Sequence, residues 1–145
     1  VGFWSRFQIY FVWGLEAWML PQVLIVGLAL LVSVVAALLA QPQIKTRWRR
    51  SHWLVFTQLL FYPLIVAVGA AFPAGTSVAP GGAHSVPLGE RLLDMLTFAP
   101  LITGSYWVHR MRGLRWLAGS LVLLQEVVLY GALFVAGMSL SGDWL

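Results

Sequence analysis

The residue that most invites chemistry is Glu126, a carboxylate inside the apolar run Leu-Leu-Gln-Glu-Val-Val-Leu-Tyr at 123–130. A charged side chain at the centre of a bilayer is costly, by about 3 to well over 10 kcal/mol depending on the scale. The protonated acid is therefore the expected form. Such a group can carry a proton, bind a cation, or donate a hydrogen bond to Gln58 or to a free carbonyl. It can also meet a lysine or arginine of another protein, because no basic residue of this chain lies at its depth.

Laying the apolar segments beside one another at 1.5 Å per residue places further polar groups near Glu126. Tyr62 falls at the centre of its segment, and Gln58 lies roughly 6 Å to one side of it. Ser33 and Thr103 fall roughly 5 Å to the same side. Glu126, Gln58, Ser33, Thr103 and Tyr62 are thus expected to form one polar layer. Gln125 points about 100° away from Glu126 around its helix. Pro63 and Pro100 lie near the same level, as expected kinks. Each removes an N–H and frees a carbonyl one turn earlier, near Leu59 and Leu96. Interrupted helices at matched depth are a feature of transport sites.

Other chemistry is thin. His52 and His109 near one interface could ligate a haem or metal as a pair, but the simpler expectation is histidine beside lipid phosphate. His84 has no neighbouring ligands. The Gly81-Gly82 pair lacks the preceding strand and following lysine of a phosphate loop. There are no cysteines, which excludes disulfides and thiolate chemistry. No catalytic triad or metal motif is visible. No cofactor is expected, and nothing favours an enzyme.

Helices in lipid must position these groups. Of the 145 residues, 60% are hydrophobic and only 10% charged, against about half and a quarter in a soluble domain. Lipid is the solvent that such a surface requires. A hydrocarbon core of about 30 Å takes about 20 apolar residues as helix, and unpaired backbone cannot face it. The expected fold is all-α: a single polytopic domain over 1–145, built as an integral membrane bundle of four transmembrane helices near 19–40, 53–72, 91–109 and 116–138. The third segment is the least apolar, with Asp94, Thr97, Pro100, Thr103 and Ser105. Residues 1–18 read as an N-terminal amphipathic, interfacial segment on the outer face, in preference to the remnant of a further span. Residues 73–89, rich in Pro, Gly and small polar residues, read as a flexible outer loop.

Lys45, Arg47, Arg49 and Arg50 fall between the first two segments, and Arg110, Arg112 and Arg115 between the last two. Short basic loops stay cytoplasmic. The expected location is therefore the cell (cytoplasmic or inner) membrane, multi-pass, with both termini and the 73–89 loop outside. The basic clusters are juxtamembrane and interleaved with Trp48, Trp53 and Trp116. They read as contacts to anionic lipid rather than to nucleic acid. Trp13, Trp18, Trp53, Trp107, Trp116 and Trp144 are expected at the two interfaces. Ala29, Ser33 and Ala37 share one helix face, where small residues let another helix approach.

Two functional classes follow. One is a non-catalytic structural or accessory membrane component, packing with itself in a homo-oligomer or with subunits of a larger complex. The other is a small transporter or ion-handling protein that uses Glu126.

Overall fold

The computed structural model describes residues 2–40, 44–73 and 87–142, and of Trp18, Lys45, Thr46 and Pro87 the backbone alone. Most of the expected 73–89 loop, with His84, lies outside the described residues, as do Asp143 and Trp144. The described chain is almost entirely helical. Helix α1 (Phe3–Glu16) passes through a short 3-10 turn (Ala17–Met19) into α2 (Pro21–Ala40). A single turn, α3 (Ile44–Arg47), leads to a 3-10 helix (Arg50–Leu60) that continues directly as α4 (Phe61–Ala71). Helices α5 (Pro87–Arg110) and α6 (Arg115–Ser141) complete the chain.

Among the described residues three helical segments are long and apolar enough to cross a membrane: Pro21–Ala40, Arg50–Ala71 and Arg115–Ser141. They coincide with the first, second and fourth expected spans. The third expected span lies in α5, which is continuous over 24 residues. Its Glu90, Arg91, Asp94 and four hydroxyl side chains leave it less apolar than the other three.

Helix α6 is the hub, and α1, α2, α4 and α5 all pack on it. Small residues let them come close. A Cβ on Gly69 of α4 would stand 2.8 Å from Ala136 Cα of α6. On α5, a Cβ on Gly104 would stand 2.5 Å from Val122 Cγ1. Tyr62, Ile65, Val66 and Ala70 of α4 join Leu129, Ala132, Val135 and Ala136 of α6 in the main apolar cluster, with Tyr10 of α1. The two basic turns lie at one end of the bundle. There Ile44 and Trp48 pack on Met111, Leu114 and Ala118.

Helix α1 departs from the expected interfacial segment. It packs against α4 and α6, running alongside them instead of lying apart from the bundle. Arg6 Nε donates to Ala70 O (2.9 Å), and Tyr62 Oη donates to Phe11 O (2.7 Å). Ser139 Oγ donates to Gly69 O (2.9 Å) and lies 3.2 Å from Tyr10 Oη. An interfacial helix presents its polar side to water. Here Tyr10 and Gly14 are buried, and α1 approaches through glycine. Residues 6–10 and 139–141 therefore lie at the end of the bundle opposite the basic turns.

The α2 contact face is also rotated from expectation. Gly27, Val34 and Ala37 are buried, Ser33 is half-buried, and Ala29 is exposed. Trp107 departs as well. It is buried beside Val55 and Val122, whereas Trp13, Trp53 and Trp116 are exposed, as interfacial tryptophans are.

Candidate functional site

The expected single polar layer is resolved into separate sites, and the winding of one segment helps to explain why. A 3-10 helix turns once every three residues, so side chains at i, i+3 and i+6 stack in a row. Over Arg50–Leu60 this puts His52, Val55 and Gln58 on one buried face. An α-helix would fan these residues apart. Thr57 Oγ1 donates back to Leu54 O (2.6 Å) on the same segment. The α winding begins at Phe61, so Pro63 lies two residues past the change of winding, inside the continuous helical segment Arg50–Ala71.

Gln58 is aimed at α5. Its Nε2 donates to Pro100 O (2.6 Å) and lies 3.4 Å from Thr103 Oγ1. Thr103 Oγ1 in turn lies 3.0 Å from both Ala99 O and Pro100 O. Gln58 and Thr103 therefore meet. The carbonyl they serve belongs to Pro100 itself, not to Leu96. Gly104 makes room for this contact, since a Cβ there would stand 2.7 Å from Gln58 Nε2.

Ser33 and Tyr62 belong elsewhere. Ser33 Oγ pairs with Ser120 Oγ (2.9 Å) and accepts from Trp116 Nε1 (3.3 Å), tying α2 to α6. Tyr62 ties α4 to α1 through Phe11 O. Ser120, Ser139 and Tyr10 are polar contacts that their own spans do not announce. A serine in an apolar helix looks alike whether it faces a partner or its own backbone. The one available signal is the run of small residues at Gly131, Ala132, Ala136 and Ser139, which marks a closely packed face of α6.

Glu126 stands apart from all of these. It reaches neither Gln58 nor the Leu96 carbonyl. Its Oε1 is buried without a hydrogen-bond partner, as are Oε1 of Gln58 and Oε1 of Gln125. Gln125 Nε2 donates back to Leu121 O (3.1 Å). Glu126 lines a groove of about 490 Å³ between α5 and α6. Leu101, Val108, Val122 and Leu123 give the groove apolar walls, and Gly119 leaves part of it open. A Cβ on Gly119 would meet nothing within 4 Å. Ser105, His109 and Arg115 continue the lining from Glu126 toward the basic end. Leu101 and Leu123 are exposed, so the groove opens on the outer surface of the bundle.

The two histidines do not form a pair. His109 lines this groove, whereas His52 lines a separate cavity at the basic end. Among the described residues no group of three or more metal-ligating side chains is assembled. Arg115 also lines the groove, apart from the other arginines of the basic end. Compared with models of protein families, with curated proteins and with solved structures, the chain matches none.

Proposed function

We propose that the protein is a non-catalytic accessory component of a membrane complex, and that its α5–α6 groove seats a transmembrane helix of another subunit. In this reading α5 is the fourth crossing and the basic turns face the cytoplasm. The observation that carries it is the buried, unpartnered carboxyl oxygen of Glu126 beside a groove open to the outer surface. A buried acceptor without a donor is expensive. A donor seated in the groove would lie beside this residue. The occupant is a helix presenting Lys, Arg or an amide at that level. A second copy of this chain brings no basic residue to that level, since its own lie at positions 6, 45–50, 91 and 110–115.

The test is a photo-crosslinking residue at Leu123, in the groove, against a control at Ile25, exposed on α2. We expect Leu123 alone to capture one membrane chain in stoichiometric yield, with a donor residue inside its own span. Glu126→Leu should abolish that capture. Equal capture at both positions, or capture insensitive to Glu126→Leu, would overturn the proposal.

A second reading is favoured by the polar groups along the groove. Ser105 and His109 extend from Glu126 toward the basic end, a path along which a proton could reach the carboxyl group. Proton uptake by proteoliposomes that is abolished by Glu126→Gln, with no companion chain required, would support this reading over the first.

A further inference from the structure

The basic end of the bundle holds a second cavity, of about 500 Å³, lined by Arg47, Arg49, Ser51, His52, Arg110 and Arg112. Every residue in that lining is polar or charged, and no carboxylate is among them. The chain's five acidic residues are at positions 16, 90, 94, 126 and 143, in other parts of the sequence. In the sequence these arginines are separate contacts along two connections. The fold gathers them on one cavity because Ile44 and Trp48 pack onto Met111 and Leu114, clamping the two turns together.

Two of the guanidinium groups are held in place by the protein. Arg47 Nη1 donates to Gly113 O (3.5 Å). Gly113 has a left-handed φ of 85°, a conformation that favours glycine. Arg110 donates to Tyr106 Oη and sits over the rings of Tyr106 and Trp107, at 5.8 and 5.9 Å from their centroids. His52 Nδ1 accepts the backbone N–H of Arg49 (3.1 Å). In the neutral ring this leaves Nε2–H as the donor. The cavity is therefore rich in donors, several of them positioned before any ligand arrives, which lowers the cost of ordering them on binding.

We propose that this cavity is a binding site for a phosphate group, held by the guanidinium forks of Arg47, Arg49, Arg110 and Arg112. Ser51 and His52 offer further donors. Planar guanidinium groups match phosphate oxygens two at a time, and an anion among them offsets the mutual repulsion of four cations with no carboxylate in the lining. The exposed Trp53 and Trp116 belong to the same end, where the headgroup of an anionic lipid would lie. A soluble phosphate compound offers the same chemistry.

The test uses the full chain in an uncharged detergent. Native mass spectrometry counts phosphatidylglycerol and phosphatidylcholine retained per chain, and titration with inorganic pyrophosphate follows. We expect about one phosphatidylglycerol per chain, retained in preference to phosphatidylcholine. The double variant Arg49→Gln/Arg112→Gln should lower that retention at least about tenfold, the loss of charge-assisted contacts worth roughly 1.4 kcal/mol or more in total. Both side chains are exposed, so the fold should survive. Arg50→Gln, at the same end but outside the cavity, should leave retention unchanged. Arg49→Lys/Arg112→Lys keeps the charge and loses the forks, and should weaken retention by less. Displacement of the lipid by pyrophosphate would identify a site open to soluble phosphate compounds. Arginine-dependent retention that pyrophosphate cannot displace would identify a lipid headgroup site. Equal retention of both lipids with no pyrophosphate binding would overturn the proposal, as would a loss in Arg50→Gln equal to that in the double variant.

Discussion

Gly131 and Gly14 face each other where α6 crosses α1, so closely that a Cβ on Gly131 would fall on the carbonyl oxygen of Gly14. Van der Waals packing and hydrogen bonds, not water exclusion, hold helices together in lipid. Backbone contact of this kind brings the most atoms within range. It also explains how a short helix such as α1 can lie against α4 and α6 with a buried Gly14 and a buried Tyr10.

Gly131→Ala should therefore destabilise the protein by about 1–3 kcal/mol, the usual cost of forcing atoms into a filled contact. Gly137→Ala is the contrasting case. It lies in the same helix with nothing within 4 Å of the added Cβ, and should stabilise by about 0.4–1 kcal/mol through the unfolded chain. Thermal unfolding in detergent reads both. Equal shifts for the two variants would refute the close crossing.

Gln58 illustrates a buried polar group that is only half satisfied. Its Nε2 is bonded to Pro100 O, while its Oε1 has no partner. Gln58→Leu loses the bond but also removes the orphaned acceptor. The two effects oppose each other, so the net change should stay within about 1 kcal/mol. Gln58→Ala instead opens a cavity and should cost about 2 kcal/mol or more. Chemical or thermal unfolding distinguishes the pair. A Leu variant as damaged as the Ala variant would mean that the Gln58–Pro100 bond matters more than this balance allows.

Ser139 links three helices, through Gly69 O of α4 and Tyr10 of α1. Hydrogen bonds between membrane helices average about 0.6 kcal/mol and reach about 1.7. Ser139→Ala should fall in that range. Combined with Tyr10→Phe, it should lose less than the sum of the two single variants, because both remove the same contact. Strict additivity in a double-mutant cycle would show that Tyr10 and Ser139 do not interact.

The direction of α5 has a clean test, because the chain has no cysteine of its own. Single cysteines at Glu90, in the first turn of α5, and at Arg112, just past its last residue, both exposed, should label from opposite sides of a sealed vesicle. Arg112 is expected to label from the cytoplasmic side. Labelling of both from one side would leave three crossings and remove α5 from the membrane.

Much of this molecule was determined by the sequence alone. Helicity, the three most apolar segments and the grouping of basic residues into two short connections all follow from composition along the chain. Hydropathy belongs to each segment separately, and lipid admits few structures for an apolar one. The pairing of polar groups was decided only by tertiary structure. In a helix that is apolar on every side, periodicity does not reveal which face turns inward. Rotation about the axis therefore settled that Ser33 meets Ser120, that Ala29 is exposed, and that Trp107 is buried under Arg110. Depth was decided in the same way. A 3-10 helix advances about 2.0 Å per residue against 1.5 Å for an α-helix, so a layer laid out by α-helical rise does not hold once Arg50–Leu60 winds more tightly. The arginine cavity exists only because two turns distant in sequence are clamped by Trp48 against Met111 and Leu114. The groove at Glu126 takes its lining from both α5 and α6, which no single segment of the sequence brings together.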